Sequence, residues 1–345
     1  MSVSIGPVQP WHVVEDDLDL STLENRESLF ALSNGRNGVR GSLDEGSPSG
    51  APGSYLSGAF ELWPLTYPEY SYGYPQVQER LVAVPDASLV ELFVGGERLD
   101  VRTGDLHAHE RTLDLRGGTL QRRLEWTSPA GRRVRVRSER LVPLDRPGLF
   151  VVDYRVEAVG EFVDVEVRSA VVCSEELHEP HTQAGHRGGR VRQRTDGSGL
   201  AVAVAVENTV TGPAQTEVVS HATSDRVVTT ATVRLEPGQE LRVVKIAALG
   251  WAPQVSRESL DADLEQLLTA GLREGWDRLA ARQRAVLDDF WEHADVGVVG
   301  DPALQQAVRF ALFHVFQAAA QATDRGIPAK GLTGTGYDGH TFWDT

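Results

Sequence analysis

Residues 113–136 read LDLRGGTLQRRLEWTSPAGRRVRV, a run of short apolar segments interrupted by two groups of turn-forming residues. Gly117 and Gly118 can supply the positive φ angles of a tight hairpin turn, and Pro129 and Gly131 belong to the second group. Apolar residues at alternate positions flank both groups, which is the pattern of strands with one buried face. The stretch therefore predicts three antiparallel strands joined by two hairpins.

The same pattern continues on both sides of this stretch, over residues 81–251. A third hairpin is predicted at residues 236–239, where Pro237 occupies a favoured turn position between apolar runs at 227–235 and 241–246. Short Val- and Leu-rich strands separated by turns at this spacing predict an antiparallel β-sandwich.

Two groups of side chains in or near the predicted sandwich have both a structural and a ligand-binding interpretation. Arginines that alternate with apolar residues favour a solvated sheet face over a ligand site. They are Arg135, Arg137 and Arg140. An aromatic segment upstream favours packing over a sheet above stacking on a sugar ring. Its residues are Trp63, Tyr67, Tyr70, Tyr72 and Tyr74.

The composition excludes several classes of protein. The 345 residues, enough for two or three domains, carry 34 Lys and Arg against 49 Asp and Glu, a net charge of -15 that disfavours binding to nucleic acid. The single cysteine, Cys173, cannot form an internal disulfide, which fits a reducing cytoplasm. Residues 1–10 lack a secretory signal pattern, and the longest aliphatic run, residues 200–206, is far shorter than the ~20 residues that span a bilayer. We expect a cytoplasmic protein without a membrane segment.

The hydrophobic period changes after residue 255. Apolar stripes predict helices at 256–268 and 276–294, which we interpret as linker helices lying on a neighbouring element. Asp301 and Pro302 then give a helix N-cap and a first-turn proline, and the helix at 304–320 is apolar around most of its circumference. Such a helix is expected to be buried on nearly all sides, yet only about 25 residues follow it. The sequence thus predicts the first piece of a helical domain whose remainder is missing.

These changes divide the chain into three predicted parts. Residues 1–254 form a β-sandwich domain, residues 255–299 form linker helices, and residues 300–345 begin the helical domain.

The last sixteen residues, KGLTGTGYDGHTFWDT at 330–345, carry the strongest chemical signal. The closely spaced glycines specify a backbone that turns sharply and allows close approach of other atoms. Aromatic residues and a carboxylate follow them, a combination suited to the apolar face and the hydroxyl groups of a sugar. Lys330 precedes the glycines, so the spacing does not fit a phosphate-binding P-loop.

Residues 331–345, GLTGTGYDGHTFWDT, resemble the signature of glycoside hydrolase family 65, which includes maltose, trehalose and kojibiose phosphorylases and some trehalose hydrolases. Residues 27–41, ESLFALSNGRNGVRG, resemble the N-terminal pattern of the same family. The resemblance implies a mainly β N-terminal super-sandwich, linker helices, and the first helix and loop of an (α/α)6 catalytic barrel.

The resemblance also implies candidate substrate-binding residues. Trp343 and Asp344 would line the subsite of the non-reducing glucose, as a stacking wall and a hydroxyl acceptor. Phe342 and His340 belong to the same loop and would either contact the sugar or shape the loop, whereas Asp338 is predicted to be a turn residue.

The implied reaction is inverting phosphorolysis of an α-glucoside. The general-acid Glu and the phosphate loop of the family lie downstream of the Phe-Trp-Asp motif, so no catalytic residue is assigned here and the chain alone is expected to be inactive. The partners implied are an α-linked glucose disaccharide and inorganic phosphate as co-substrate, with no cofactor. A homodimer or a complementing barrel half is a further possible partner.

Two alternatives remain open at this level. The first is a non-catalytic β-sandwich module that binds carbohydrate or another protein chain. The second concerns two clusters with metal-ligand side chains, for which we favour polar surface loops over metal sites. The clusters are Glu175, Glu176, His178, Glu179, His181 and His186, and His107, His109 and Glu110.

Overall fold

The structure is a computed structural model that describes residues 8–69, 71–322 and 325–343. Within these residues it contains eighteen β-strands and three α-helices. The strands are β1 (His12–Glu15), β2 (Leu32–Ser33), β3 (Asn37–Val39), β4 (Ser54–Pro64), β5 (Val77–Val84), β6 (Val90–Val94), β7 (Glu97–Arg98), β8 (Asp105–Asp114), β9 (Thr119–Thr127), β10 (Arg133–Leu141), β11 (Leu149–Ala158), β12 (Val163–Val172), β13 (His178–Ala184), β14 (Gly188–Arg194), β15 (Leu200–Thr211), β16 (Glu217–Ala222), β17 (Arg226–Leu235) and β18 (Glu240–Pro253). The helices are α1 (Leu23–Leu29), α2 (Arg257–Ala294) and α3 (Pro302–Ala319).

The strands form three antiparallel sheets. The largest has the order β1-β8-β9-β10-β11-β18-β15-β14-β13, the second β16-β17-β12-β6-β7, and the third β2-β3-β4-β5. Apolar side chains of the nine-stranded and five-stranded sheets share one buried core, so the prediction of a mainly β sandwich is confirmed.

The apolar run at 200–206 has a simple explanation in the layers of the fold. Val202 and Val204 lie in the core between the two sheets, whereas Ala203 and Ala205 face the other way and pack with Leu260 of α2. Because both faces of β15 are covered, its sequence is continuously apolar instead of alternating.

Helix α2 packs on the outer face of the large sheet, against β11, β15 and β18. It runs through both predicted helices with a single interruption at Gly275, which has φ 67° and ψ 176°. A left-handed φ of this kind is accessible to glycine without a steric cost, so the break between the two helices is one residue long.

Two of the three predicted hairpins are present, and the third is wrong. β8 pairs with β9 and β9 pairs with β10, with Val134 opposite Trp126. The turn at residues 236–239 instead carries the chain from the five-stranded sheet to the nine-stranded sheet, because β17 pairs with β12 and β16 while β18 pairs with β11 and β15. Leu235 and Leu241 on either side of this turn both enter the core.

The predicted solvated arginine face is also wrong in one position. Arg135 and Arg137 lie on the outer face of β10, but Arg140 has the opposite parity and is buried against Asp44. No helix in the described part of the chain is both long and apolar enough to cross a membrane.

Candidate functional site

Helix α3 is held at its start by its own cap. The carboxylate of Asp301 accepts hydrogen bonds from the backbone N–H groups of Ala303 (3.0 Å) and Leu304 (2.9 Å), and Pro302 occupies the first turn. These are the N-cap and first-turn proline that the sequence indicates.

The C-terminal half of α3 and the residues just after it form hydrogen bonds with the N-terminal motif at residues 27–41. The N–H of Ser33 donates to Oε1 of Gln317 (2.9 Å), and Nε2 of Gln317 donates to the carbonyl of Ala31 (3.2 Å). The N–H of Gln321 donates to the carbonyl of Asn34 (2.8 Å). Helix α3 and the residue shortly after its end therefore contact the first of the two segments that carry the family resemblance.

The motif itself is pinned to the sandwich by two buried asparagines. Nδ2 of Asn34 donates to the carbonyl of Pro143 (2.8 Å), and Nδ2 of Asn37 donates to the carbonyl of Leu149 (2.9 Å). Oδ1 of Asn37 accepts from the N–H of Gly148 (2.9 Å). Buried amides with donors and acceptors satisfied in this way fix a backbone in one arrangement.

The outer face of α3 differs from the expectation of burial on nearly all sides. It is apolar but exposed, because no described residue covers it. Its exposed residues are Ala303, Leu304, Ala307, Ala311, Val315 and Ala319. Small residues at spacings of three and four form the kind of face that a second helix packs against closely.

The Gly-rich loop, residues 329–343, returns from α3 to the motif. Nη1 of Arg40 donates to the carbonyl of Thr333 (2.6 Å) and to Oγ of Ser28 (2.8 Å). Leu332 is buried directly over Gly38, where a Cβ atom would lie only 2.4 Å from the carbonyl oxygen of Leu332. Gly38 is thus required by the close approach of two backbones.

The second half of the loop runs along the free edge of β5. Arg80 pairs with Asp338 (Nε to Oδ1, 3.2 Å), and Nε2 of Gln78 donates to the other oxygen of Asp338 (3.3 Å). His340 places its Nε2 at 3.1 Å from the carbonyl of Glu79. The edge strand therefore positions the loop through consecutive residues.

A left-handed turn lies at the centre of this contact. Tyr337 has φ 56° and Asp338 has φ 54°, and neither is a glycine. Such residues cost of order 1–3 kcal/mol each and persist where surrounding contacts fix them. Asp338, predicted as a turn residue, has both of its carboxylate oxygens engaged by β5.

The loop presents aromatic side chains to solvent. Phe342 is 44% exposed and Trp343 is 96% exposed, and Tyr337 contacts Phe342 edge to face with ring centroids 5.6 Å apart. His340 is half-buried against β5, and Asp344 lies outside the described residues. Of the four predicted substrate-binding residues, Phe342 and Trp343 therefore face solvent, and His340 contacts strand β5 of the sandwich.

Known proteins resemble the chain along its whole length. The sequence model described as "Glycosyl hydrolase family 65, N-terminal domain" matches residues 13–290, and "Glycosyl hydrolase family 65 central catalytic domain" matches residues 309–345. The chain belongs to glycosyl hydrolase family 65. The resemblance noted in the two motifs is thereby confirmed.

Individual relatives agree with this family assignment. An uncharacterized glycosyl hydrolase of Mycobacterium tuberculosis is 48% identical over 98% of this chain, and the alpha,alpha-trehalose phosphorylase of Geobacillus stearothermophilus is 32% identical over 97%. A solved structure provisionally named as a kojibiose phosphorylase from the human microbiome superposes with a TM-score of 0.88 at 19% identity, over 98% of this chain. The chain spans 45%, 46% and 46% of these three proteins, respectively.

The other candidate clusters form no comparable site within this family fold. The ring of His109 is buried, and its Nε2 faces Nε of Arg122 at 3.2 Å, while burial lowers the pKa of His109 to about 2. His178 lies near Asp196 in an exposed strand, and Glu179 pairs with Arg194. Among the described residues, no group of three or more metal-ligand side chains is positioned to hold an ion.

Two single regions remain to be placed, Cys173 and the aromatic segment. Burial raises the pKa of the half-buried Cys173 thiol, which opposes thiolate formation. In the aromatic segment, Trp63, Tyr67, Tyr72 and Tyr74 are exposed, in contrast to the favoured packing interpretation, and Tyr70 lies outside the described residues. Elsewhere in the sandwich, residues such as Glu110, Arg123 and Arg137 line a cavity of about 670 Å³. No residue of the Gly-rich loop lines this cavity.

Gln78 and Arg80 are site residues that sequence reasoning missed. They lie about 260 positions before Asp338 in the chain, and nothing local to β5 marks them as loop contacts. The signal nearest to them was the aromatic segment that precedes β5.

Replacing Gly38 with alanine is expected to undock the Gly-rich loop while leaving the sandwich folded. The added methyl group overlaps Leu332, and overpacking of this kind costs about 1–3 kcal/mol, enough to raise the undocked fraction about tenfold. Limited proteolysis at Lys330 measures this fraction. Gly297→Ala is the matched control, because a Cβ at Gly297 meets no atom within 4 Å. Equal cleavage rates in the two variants would contradict the proposed close contact.

Proposed function

We propose that this chain forms the sandwich and the first part of the sugar subsite of an inverting α-glucoside phosphorylase or hydrolase acting on trehalose, maltose or kojibiose. The observation that carries the proposal is the match of residues 309–345 to the family's catalytic domain, in a loop that exposes Phe342 and Trp343. The 32% identity to a trehalose phosphorylase supports a disaccharide of glucose as substrate.

The loop residues have distinct tasks in this proposal. Trp343 supplies a flat apolar surface for one face of the glucose ring, and Asp344 accepts hydrogen bonds from its hydroxyl groups. His340 holds the loop against the carbonyl of Glu79 and thereby sets the position of Phe342. The sandwich acts as the rigid support of the subsite.

The reaction proposed for the complete site is an inverting displacement at the anomeric carbon. A phosphate oxygen bonds to that carbon while the bond to the glycosidic oxygen breaks, and the departing oxygen takes a proton from a general acid. The products are β-glucose 1-phosphate and a free sugar. With water in place of phosphate, a carboxylate must also act as base. By resemblance to the family, the acid and the phosphate loop follow the Phe-Trp-Asp motif.

The exposed face of α3 fits the same proposal. Its small apolar residues are available to further helices of a barrel, so that burial of α3 is completed by the catalytic domain.

The test compares the 345-residue chain with a fusion. The chain alone is expected to release no glucose 1-phosphate from trehalose, maltose or kojibiose with phosphate. Fused after Thr345 to the corresponding remainder of the Geobacillus stearothermophilus trehalose phosphorylase, it is expected to phosphorolyse trehalose. Trp343→Ala in the fusion is expected to reduce kcat/KM by at least about tenfold, as loss of a stacking surface.

Circular dichroism and gel filtration first establish that the fusion is folded. Glucose 1-phosphate released by the chain alone would contradict its inactivity. A folded fusion with full activity after Trp343→Ala would contradict the role of the loop.

A further inference from the structure

The β4–β5 hairpin places a second set of sugar-compatible side chains beside the Gly-rich loop. In the register of this hairpin, Trp63 lies opposite Gln78 and Glu61 lies opposite Arg80, so Trp63, Gln78 and Arg80 share one face. That face meets Asp338, through both Gln78 and Arg80. The exposed ring of Trp63 is therefore next to the loop that carries Phe342 and Trp343.

Arg80 connects the hairpin to the loop. Its guanidinium carbon lies 5.3 Å from the centroid of the Trp63 ring, and its Nε lies 3.2 Å from Oδ1 of Asp338. A cation over the ring orients the indole, and the ion pair holds the turn at Tyr337. The indole, which is 50% exposed, is thus held on a supported surface and is not a free side chain at the hairpin tip.

Building on the proposed function, we infer that Trp63, Gln78, Arg80, Tyr337 and Asp338 form a binding surface for the second sugar ring of the disaccharide. We call these five residues the hairpin surface. It combines two aromatic faces with an amide, a carboxylate and a guanidinium, which can stack on a pyranose and exchange hydrogen bonds with neighbouring hydroxyls. The opposite charges of Arg80 and Asp338 balance, which fits a neutral sugar.

Asp338 of the hairpin surface and Trp343 lie close together in the chain. Asp338 and Trp343 are five residues apart, so their Cα atoms are at most about 17 Å apart even in a fully extended chain. Both members of the Arg80 and Asp338 pair are more than one-third exposed, and such pairs contribute little to stability. The exposed parts of both groups are therefore accessible to sugar hydroxyls while the pair stays intact.

The experiment measures binding of α,α-trehalose and of glucose to the 345-residue chain by isothermal titration calorimetry. The chain is expected to bind trehalose more tightly than glucose. Trp63→Ala is expected to weaken trehalose binding about tenfold and leave glucose binding unchanged, because only the second ring loses its surface. Trp63→Phe retains an aromatic face and is expected to restore most of the affinity.

Two variants separate this inference from the proposed function. Tyr72→Ala removes a fully exposed aromatic residue of the same hairpin and is expected to change neither affinity. Trp343→Ala is expected to weaken both sugars, because it alters the first ring's subsite. Trehalose affinity unchanged by Trp63→Ala, or no binding of trehalose by the chain, overturns the hairpin surface. Loss of trehalose binding in Trp63→Ala with no effect of Trp343→Ala supports the hairpin surface and overturns the proposed glucose subsite.

Discussion

Asp44→Ala is expected to lower the free energy of unfolding by about 3–5 kcal/mol, since it removes the buried partner of two arginines. The carboxylate of Asp44 accepts from Nε of Arg140 (2.7 Å), Nη1 of Arg122 (3.3 Å) and Oγ of Ser138 (2.6 Å). All four side chains are buried. Without the carboxylate, Arg140 keeps a positive charge in the protein interior with no carboxylate bonded to it.

Urea denaturation followed by circular dichroism measures this loss. Asp164→Ala is the matched control, because Asp164 is exposed and lies 4.0 Å from Arg234, and a change of about 0–1 kcal/mol is expected there. Similar losses in the two variants would show that the buried network contributes no more than a surface pair.

The same carboxylate gives stability a definite dependence on pH. Burial raises the pKa of Asp44, but the charges of Arg140 and Arg122 outweigh burial and hold the pKa below its ordinary value. A lowered folded-state pKa adds stability above the unfolded-state value near 3.9, and this contribution is lost as the pH falls through the folded-state pKa. Asp44→Ala is accordingly expected to flatten the acid limb of the stability profile.

The network also explains how the N-terminal motif reaches the site. Glu45, next to Asp44, accepts from Arg122 (2.6 Å) and from the hydroxyl of Tyr154 (2.7 Å). Residues 44–45 are thereby bonded to the inner face of the large sheet, only a few positions after Arg40, which holds the carbonyl of Thr333. Polar groups buried in the sandwich thus position the loop that carries Trp343.

Local signals in the sequence predicted local structure well. The turns at Gly117 and Gly131 and the alternation between them predicted the β8–β9 and β9–β10 hairpins, because a tight turn and a period of two together define a hairpin. The cap at Asp301 likewise predicted the start of α3. Each of these depends on residues close together in the chain.

Pairing across the sandwich could not be predicted in the same way. The turn at 236–239 reverses the chain whether its strands pair or face each other across the core, so the sequence signal was the same for both. The sequence shows that Arg140 is at an even position of its strand whereas Arg135 and Arg137 are at odd ones, so it faces the other side of the sheet. Its buried partner Asp44, however, is 96 positions away in the chain. Contacts such as Arg80 with Asp338 depend on how whole elements dock, which no local pattern encodes.

Lys245 tests the contact between the two sheets of the sandwich. Its ammonium group is fully buried on β18 and donates to the carbonyls of Ala87 (2.6 Å), Leu89 (2.9 Å) and Ala170 (2.7 Å). The carbonyls of Ala87 and Leu89 lie just before β6, and that of Ala170 belongs to β12. One side chain of the nine-stranded sheet therefore bonds to the five-stranded sheet and to the segment that leads into it. Burial lowers the pKa of Lys245 to about 7.

Lys245→Met is expected to cost about 2–4 kcal/mol at pH 8.5, because two buried carbonyls lose the donor, while that of Leu89 keeps the N–H of Ala170. Above pH 7 the unfolded chain retains the lysine proton and the folded chain releases it, so wild-type stability rises with pH, by about 1.5 kcal/mol from pH 7 to pH 8.5. The variant lacks this rise, so its loss of stability relative to the wild type is smaller at pH 7.

Urea denaturation at both pH values measures this difference. Lys330, the only other lysine in the sequence, is exposed. The control variant Lys330→Met is therefore expected to keep the wild-type dependence of stability on pH. An unchanged slope in Lys245→Met would place the titrating group elsewhere.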